Sequence, residues 1–178
     1  MEFYLTMDAW SVTRPERLWL VRLASDMEDR KPNPVIVSIG VLFGATTHCL
    51  RAGAPTAHLF GVDIDYTTHP VQREAELRAT LITGDSHECH KDFDLGIDLL
   101  FLDGDHHYDA VKADIIGWAS KVQVGGIFAF HDYSPSGANL ASGPWIAGVR
   151  QAVDEWQAEA KWKLVGRADS VIAFKREE

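Results

Sequence analysis

Two short segments carry most of the chain's chemically capable side chains, Phe101-Leu-Asp-Gly-Asp-His-His107 and Phe128-Ala-Phe-His-Asp132. Each closes an apolar run, so each reads as the carboxyl end of a buried strand. If the two strands are neighbours, their ends lie about 5 Å apart. Asp103 and Asp132 then converge on one small volume, with Asp105 and His131 as further candidates. Carboxylates so close repel one another unless a cation or shared protons intervene. An all-oxygen set suits Mg²⁺, which keeps positions open for water and substrate, whereas use of His131 shifts the preference toward Mn²⁺, Fe²⁺ or Zn²⁺. His106 is the candidate general base, because an unperturbed imidazole titrates near pH ~6.5 and is largely free at neutral pH to take a proton from an acidified hydroxyl. The plainer alternative is that His106 and His107 only cap the helix beginning at Tyr108.

Other strand ends supply a second set. Asp63, Asp85 and Gly40 each follow an apolar run. A glycine there lets backbone approach a ligand closely, and an acidic residue after the second strand can accept hydrogen bonds from both hydroxyls of a ribose. Asp85 could accept from an exocyclic adenine amine. Gly40-Val-Leu-Phe-Gly44 is G-x-x-x-G and lacks the G-x-G-x-x-G spacing that seats a pyrophosphate, so a nucleoside without phosphates fits better than a dinucleotide. His87-Glu-Cys-His90 has too few ligands, too closely spaced, for a structural zinc and reads as a loop or short helix beside the pocket. His48, His58, His69 and His107 read as structural or surface residues, and Trp118, Trp145 and Trp156 as core or rim, with Trp145 the one placed to meet a substrate.

The elements that must position these residues follow from periodicity. Thr13 with Glu16 three residues on is a capping-box spacing, and Leu18, Leu20, Leu23 and Met27 continue a helix until Lys31-Pro-Asn-Pro34. Val35-Ile-Val-Ser-Ile39 is a continuous run expected of a strand buried on both faces. A helix over 45–52, a strand from His58 to Asp63, a charged helix over 68–78 and a strand over 79–83 repeat the alternation. Ile97 to Leu102 is a fourth strand, Tyr108 to Lys121 a helix, and Ile127 to Phe130 a fifth strand opened by Gly125-Gly126. After a polar loop over 134–144, a helix carries Val149, Ala152, Val153 and Trp156, and the runs over 162–165 and 170–174 form an antiparallel pair. The pattern predicts an α/β fold: a Rossmann-like, doubly wound, mostly parallel sheet with a C-terminal antiparallel strand pair in a three-layer α/β/α sandwich. Such sheets bind ligands outside the carboxyl ends of their strands.

Composition sets the limits. A length of 178 residues suits one domain, with 1–34 an N-terminal helical flank or lid and 35–178 the Rossmann-like core. A formal charge of −9 without a basic cluster argues against nucleic-acid or anionic-lipid partners. Two cysteines without paired spacing, no signal peptide and no apolar run long enough to span a bilayer point to a cytoplasmic protein.

Ser38-Ile-Gly40-Val41-Leu-Phe-Gly44, Gly61-Val-Asp63, Gly84-Asp85-Ser86, Phe101-Leu-Asp-Gly-Asp-His106 with Tyr108, and Gly125-Gly-Ile-Phe-Ala-Phe-His-Asp132-Tyr together resemble the class I methyltransferases of methyltransferase family 24, from about Val35 to Trp156. The resemblance implies S-adenosylmethionine as cofactor, with the Gly40 loop near its methionine portion, Asp63 at the ribose and Asp85 near the adenine. Ser38, Gly44, Thr46, Ile64, Ser86 and Asp103 complete the expected contact set. The segments are also similar to metal-dependent O-methyltransferases of catechol-like or sugar hydroxyls, which implies Mg²⁺, or Mn²⁺, on Asp103 and Asp132, with His106 as base. Tyr133 stands where that group commonly has an amide, and Ser38 where class I enzymes usually have an acid. The expected activity is transfer of a methyl group to a small-molecule hydroxyl. The competing readings are a metal-dependent phosphoesterase and a non-catalytic nucleoside-binding module. A homodimer is conceivable, since so small a chain could borrow a lid from a partner subunit.

Overall fold

The structure, a computed structural model, describes residues 12–66, 77–134, 143–159 and 161–178, and side chains for all of these except 143–146. The expected helix over 68–78 lies largely outside the described residues, as do most of the 134–144 loop, His69 and the side chain of Trp145.

Among the described residues, one sheet of seven strands runs through the molecule. In chain order its strands are β1 (Val35–Ile39), β2 (His58–Asp63), β3 (Thr80–Thr83), β4 (Ile97–Leu102), β5 (Val122–Phe130), β6 (Trp162–Ala168) and β7 (Val171–Arg176). Their spatial order is β3-β2-β1-β4-β5-β7-β6, with β3 to β5 parallel and β7 antiparallel to both β5 and β6. The helices are α1 (Arg14–Arg30), α2 (Ala45–Gly53), the single turn α3 (Ser86–Cys89), α4 (Tyr108–Trp118) and α5 (Gly143–Glu159). The expected doubly wound sheet with its C-terminal antiparallel pair is therefore present.

Alternation along the strands divides the core into two layers, because successive side chains of a strand leave opposite faces. Ile36, Leu59, Leu99, Phe101, Ile127 and Ala129 face one way and pack with Leu20, Leu23 and Ala24 of α1 and Leu50 of α2. Val37, Ile39, Leu100, Leu102, Phe128 and Phe130 face the other and pack with Val111, Ile115 and Trp118 of α4 and Val149 and Val153 of α5. A continuous apolar run such as β1 is what burial on both faces demands, and all five of its residues are buried.

Several boundaries differ from expectation. β5 begins at Val122 rather than at the glycine pair, and its pairing with β4 shifts register between Val122 and Ile127. Gly125 sits inside that irregularity at φ +85°, a left-handed conformation that favours glycine, so the glycines mark a kink within the strand rather than its start. The helix after Tyr108 ends at Trp118 and tightens into a 3₁₀ turn over Ala119–Lys121. α1 carries both halves of the expected capping box: Glu16 N–H donates to Thr13 Oγ1, and Thr13 N–H donates to Glu16 Oε2 at 2.6 Å.

Trp118 is fully buried at the end of α4, and its indole N–H donates to the Ser86 carbonyl at 3.1 Å, tying the helix to the loop after β3. Trp118→Ala should lower stability by about 3–5 kcal/mol. Urea denaturation is expected to show a lower midpoint with an unchanged slope, and a loss under ~1 kcal/mol would contradict the packing described.

Candidate functional site

The carboxyl ends of the parallel strands are laced together. Gly40 N–H donates to the Val62 carbonyl, Gly84 N–H to Asp63, Asp103 N–H to Ile39 and His131 N–H to Leu102, all at 2.8–3.0 Å. The first residues after β1, β3, β4 and β5 are thus fixed against a neighbouring strand, and the loops open onto a cleft where the strand order reverses between β1 and β4. A cavity of about 620 Å³ lies there, inside the range of ligand pockets.

At one side of it, Gly40 takes φ +79°, and a Cβ at this position would stand 1.8 Å from the Asp103 carbonyl oxygen, so only glycine lets β4 come this close. Leu42 is left-handed at φ +45°. Asp63 supports that conformation, since its Oδ2 accepts from both Val41 N–H at 2.8 Å and Leu42 N–H at 2.9 Å. Its Oδ1 accepts a weaker contact from Asp65 N–H at 3.3 Å. Asp85 is exposed and caps α3 by accepting from His87 N–H at 2.9 Å. Thr46, Ile64, Ser86 and Asp103 also line the cavity.

Ser38 and Gly44 do not line it. Ser38 is fully buried one residue short of the strand end, and alternation turns it into the sheet face opposite to Ile39. Gly44 instead supplies the left-handed residue, φ +78°, that starts α2. Asp105 departs from its expected place as well. It is exposed, accepts from His107 N–H at 2.8 Å and pairs with the His107 ring at 2.6 Å, so it shapes the turn before α4 and lies outside the carboxylate cluster.

That cluster consists of Asp103, His131 and Asp132, whose ligand atoms lie within 4.8 Å of one another. His131 is 3 % exposed, with Nδ1 3.0 Å from Asp103 Oδ1 and 3.2 Å from Asp132 Oδ2. His106 Nε2 approaches Asp132 Oδ2 at 3.0 Å and Asp103 Oδ1 at 3.9 Å. None of these imidazole nitrogens is aligned for a hydrogen bond: His131 Nδ1 and Nε2 and His106 Nε2 are buried polar atoms without such a partner. The Asp103 and Asp132 carboxylates and the His131 ring nitrogen, once it has lost its proton, form a donor set that suits a divalent cation. Asp132 adopts φ +53°, a strained conformation for a non-glycine residue that aims its carboxylate inward.

Sequence reasoning missed Glu16. The capping box accounted for it fully, yet the carboxylate is completely buried, 3.6 Å from His131 Nε2, and its Oε1 accepts from Ser170 N–H and Oγ. The available signal was position: an acid one turn ahead of the buried residues Leu20 and Leu23 points inward at helical spacing. Asp114 of α4 is a second missed acid, buried at the cavity wall, where burial raises its pKa.

Charge in the cluster is balanced by protons. The neighbouring Asp103 and Asp132 carboxylates raise the His106 pKa to about 9, against a smaller opposing effect of burial. This overturns the expectation of an unperturbed imidazole, because the carboxylates that could hold a cation instead hold the proton on His106. For His131 burial opposes the charge, but Asp103, Asp132 and Glu16 outweigh it and raise its pKa. Burial alone would raise Glu16, yet His131, Ser170 and Thr13 bring it down to about 2. Asp132 is lowered likewise by His106 and His131, against burial.

Tyr133 turns away from the cluster. Its hydroxyl donates to Asp154 at 2.6 Å and accepts from Arg167 at 3.3 Å, so it contributes no oxygen to Asp103 and Asp132. The backbone of the His106 segment is braced from α5, where a Cβ on Gly148 would stand 2.5 Å from the His106 carbonyl.

Comparison with known proteins bears on this geometry. A family described as methyltransferase domain matches residues 37–133. An O-methyltransferase from Bacillus cereus, solved in complex with SAH, superposes with a TM-score of 0.71 at 16% identity over 94% of this chain and 84% of that one. An SAH-bound methyltransferase from Podospora anserina gives 0.74 at 16% identity over 99% and 86%. The MycE methyltransferase of the mycinamycin biosynthetic pathway, solved with Mg, SAH and mycinamycin VI, gives 0.70 at 18% identity, and this chain spans 53% of its length. At these identities the superpositions establish the fold. No curated protein matches the chain.

The His106 shift is measurable. Its folded pKa lies above the free value of 6.5, so its contribution to stability is complete below that pH and is lost as pH rises through about 9. In chelator-treated protein, NMR titration of the His106 ring should give a midpoint near 9, and the stability gap between the native chain and His106→Gln should shrink from pH 6 to pH 10. A midpoint near 6.5 would contradict the geometry.

Proposed function

The chain belongs to the methyltransferase-domain family, whose model covers more than half its length, and is a class I S-adenosylmethionine-dependent methyltransferase; from that premise we propose that it methylates a hydroxyl oxygen of a small molecule, with a divalent cation at Asp103, Asp132 and His131. The observation that supports this most strongly is the convergence of these three residues and His106 on the wall of the cavity that Gly40, Asp63 and Asp85 also line. In this reading residues 1–178 act as one domain.

The residues at the ends of β1, β2 and β3 would hold the cofactor's adenosine. Asp63 has lone pairs beyond those engaged by Val41 and Leu42 and would accept from the ribose hydroxyls, and the exposed Ile64 would offer an apolar surface to the adenine. Asp85 and Ser86 stand at the adenine's edge. Asp103 stands where the cavity passes from this side to the cation cluster, and would lie on the side of the reacting methyl. When bound, the cofactor would supply an electrophilic sulfonium methyl, which passes to the acceptor oxygen while the carbon–sulfur electron pair stays on sulfur to leave the neutral thioether SAH. The hydroxyl proton goes to Nε2 of His106. Alignment by a fixed strand-end scaffold supplies much of the rate.

Asp103, Asp132 and His131 fit a divalent cation, and when bound it supplies positive charge that acidifies an acceptor hydroxyl. His106 can accept a proton only after losing its own. Neutralising the two carboxylates removes what keeps its pKa near 9 and returns the ring toward the range of a general base. The MycE methyltransferase was solved with Mg, SAH and mycinamycin VI, and its likeness in fold supports the cation reading.

Calorimetry should detect one SAH per chain. Asp63→Ala should weaken that binding about 10- to 100-fold, the scale of losing hydrogen bonds to a charged group. Asp132→Asn should leave SAH binding within about twofold yet reduce SAH release from S-adenosylmethionine, measured against catechol and glycoside acceptors, by about 100-fold or more. Absence of SAH binding by the native chain would remove the proposal.

A further inference from the structure

Glu16 is a buried carboxylate that methyl transfer, as laid out above, does not use. Helix capping alone does not require it to be buried, since a capping-box acid can serve from the surface. Here both oxygens are held. Oε2 accepts from Thr13 N–H at 2.6 Å, and Oε1 accepts from Ser170 N–H at 2.8 Å and Ser170 Oγ at 2.5 Å. A carboxylate fixed by three donors from two separate parts of the chain is a rigid reference point, and it faces Nε2 of His131 at 3.6 Å.

The His131 ring is determined from every side. Its backbone N–H continues the sheet ladder to Leu102, and Phe101 meets the ring edge-on with centroids 6.2 Å apart. Glu16 stands at Nε2, and Nδ1 points between Asp103 and Asp132 at 3.0 and 3.2 Å. An imidazole with a carboxylate at one nitrogen and an opening between two further carboxylates at the other has the arrangement by which outer carboxylates orient ligand histidines.

Resting on the cation reading above, we propose that Glu16 is a positioning residue that holds the Nε2 side of His131 and presents Nδ1 as a nitrogen ligand, so that the site is a mixed nitrogen and oxygen centre preferring Mn²⁺ to Mg²⁺. The chemical reason for the preference is that imidazole binds borderline transition ions well and Mg²⁺ poorly. The N-terminal helix thereby belongs to the cation site although none of its atoms reaches the cavity.

The test uses the full chain with Mn²⁺ as probe and pulsed electron paramagnetic resonance as readout. Bound Mn²⁺ should show coupling to a ¹⁴N nucleus. The coupling should vanish in His131→Asn and persist in His106→Asn, which separates the two imidazoles. Calorimetry should show Mn²⁺ binding at least about tenfold tighter than Mg²⁺, and Glu16→Gln should weaken Mn²⁺ about 10- to 100-fold while SAH affinity is retained. Ser170→Ala, which removes one of the two donors to Oε1 of Glu16 and leaves the backbone donor and the capping box intact, should give a smaller loss in the same direction and guards against misfolding of the first variant. Mn²⁺ bound without nitrogen coupling, or with coupling that survives His131→Asn, overturns this inference and leaves the cation reading standing. Unchanged Mn²⁺ affinity in both the Glu16 and Ser170 variants overturns the positioning role. No Mn²⁺ binding at all overturns the inference together with the cation reading, while SAH binding independently reports on the methyltransferase.

Discussion

Everything in the site depends on the ladder of backbone hydrogen bonds continuing one step beyond the parallel strands. Gly40, Gly84, Asp103 and His131 each donate to the last residues of a neighbouring strand, so four loops leave the sheet from fixed starting points. Side chains on loops are ordinarily the most variable part of a fold. Here the first residue of each loop has the precision of the sheet, and the chemical groups sit within one or two residues of it. The cavity is consequently a property of strand register more than of loop conformation.

On that scaffold the chain gathers three carboxylates and two imidazoles into a largely buried volume, with Glu16 and His131 both almost wholly shielded from water. Isolated buried charges would be expelled or neutralised. The cluster persists because each negative group faces a positive or donating one: Asp132 faces both imidazoles, and Glu16 faces His131 and Ser170. The strain at Asp132, with φ +53°, is sustained by this network, and the burial of Tyr133 beside Asp154 and Arg167 holds the chain on the far side. The same balance is what holds protons on both imidazoles.

Much of this was legible in the residues. The continuous apolar run of β1 and the acids at the ends of β2 and β4 announce a parallel sheet and the edge where its ligands bind, because burial on both faces and loop chemistry leave local signatures. Ser38 was misplaced because alternation one residue from a strand end decides between cavity and core, and that boundary is the least certain feature of a strand reading. Asp105, a further candidate beside Asp103, lies outside the cluster because the turn before α4 takes its carboxylate for the His107 backbone. Glu16 escaped notice for a different reason: its local role was sufficient, and its partner His131 is 115 positions away. The proton affinity of His106 likewise depends on a partner from another strand, which no local pattern encodes.

The near-contact at Gly40 has a bearing on how such a chain can vary in length. Its backbone rests directly against the Asp103 carbonyl, with no room even for a methyl group between them. An insertion or deletion in either segment would pull the Gly40 and Asp103 sides of the cavity out of alignment together, since they share that junction. Extra residues are better absorbed at the opposite rim of the sheet, where the turns between helices and strand starts carry none of the chemistry. A change of chain length is therefore cheaper at one pole of the molecule, and the other is a seam whose span the close approach fixes.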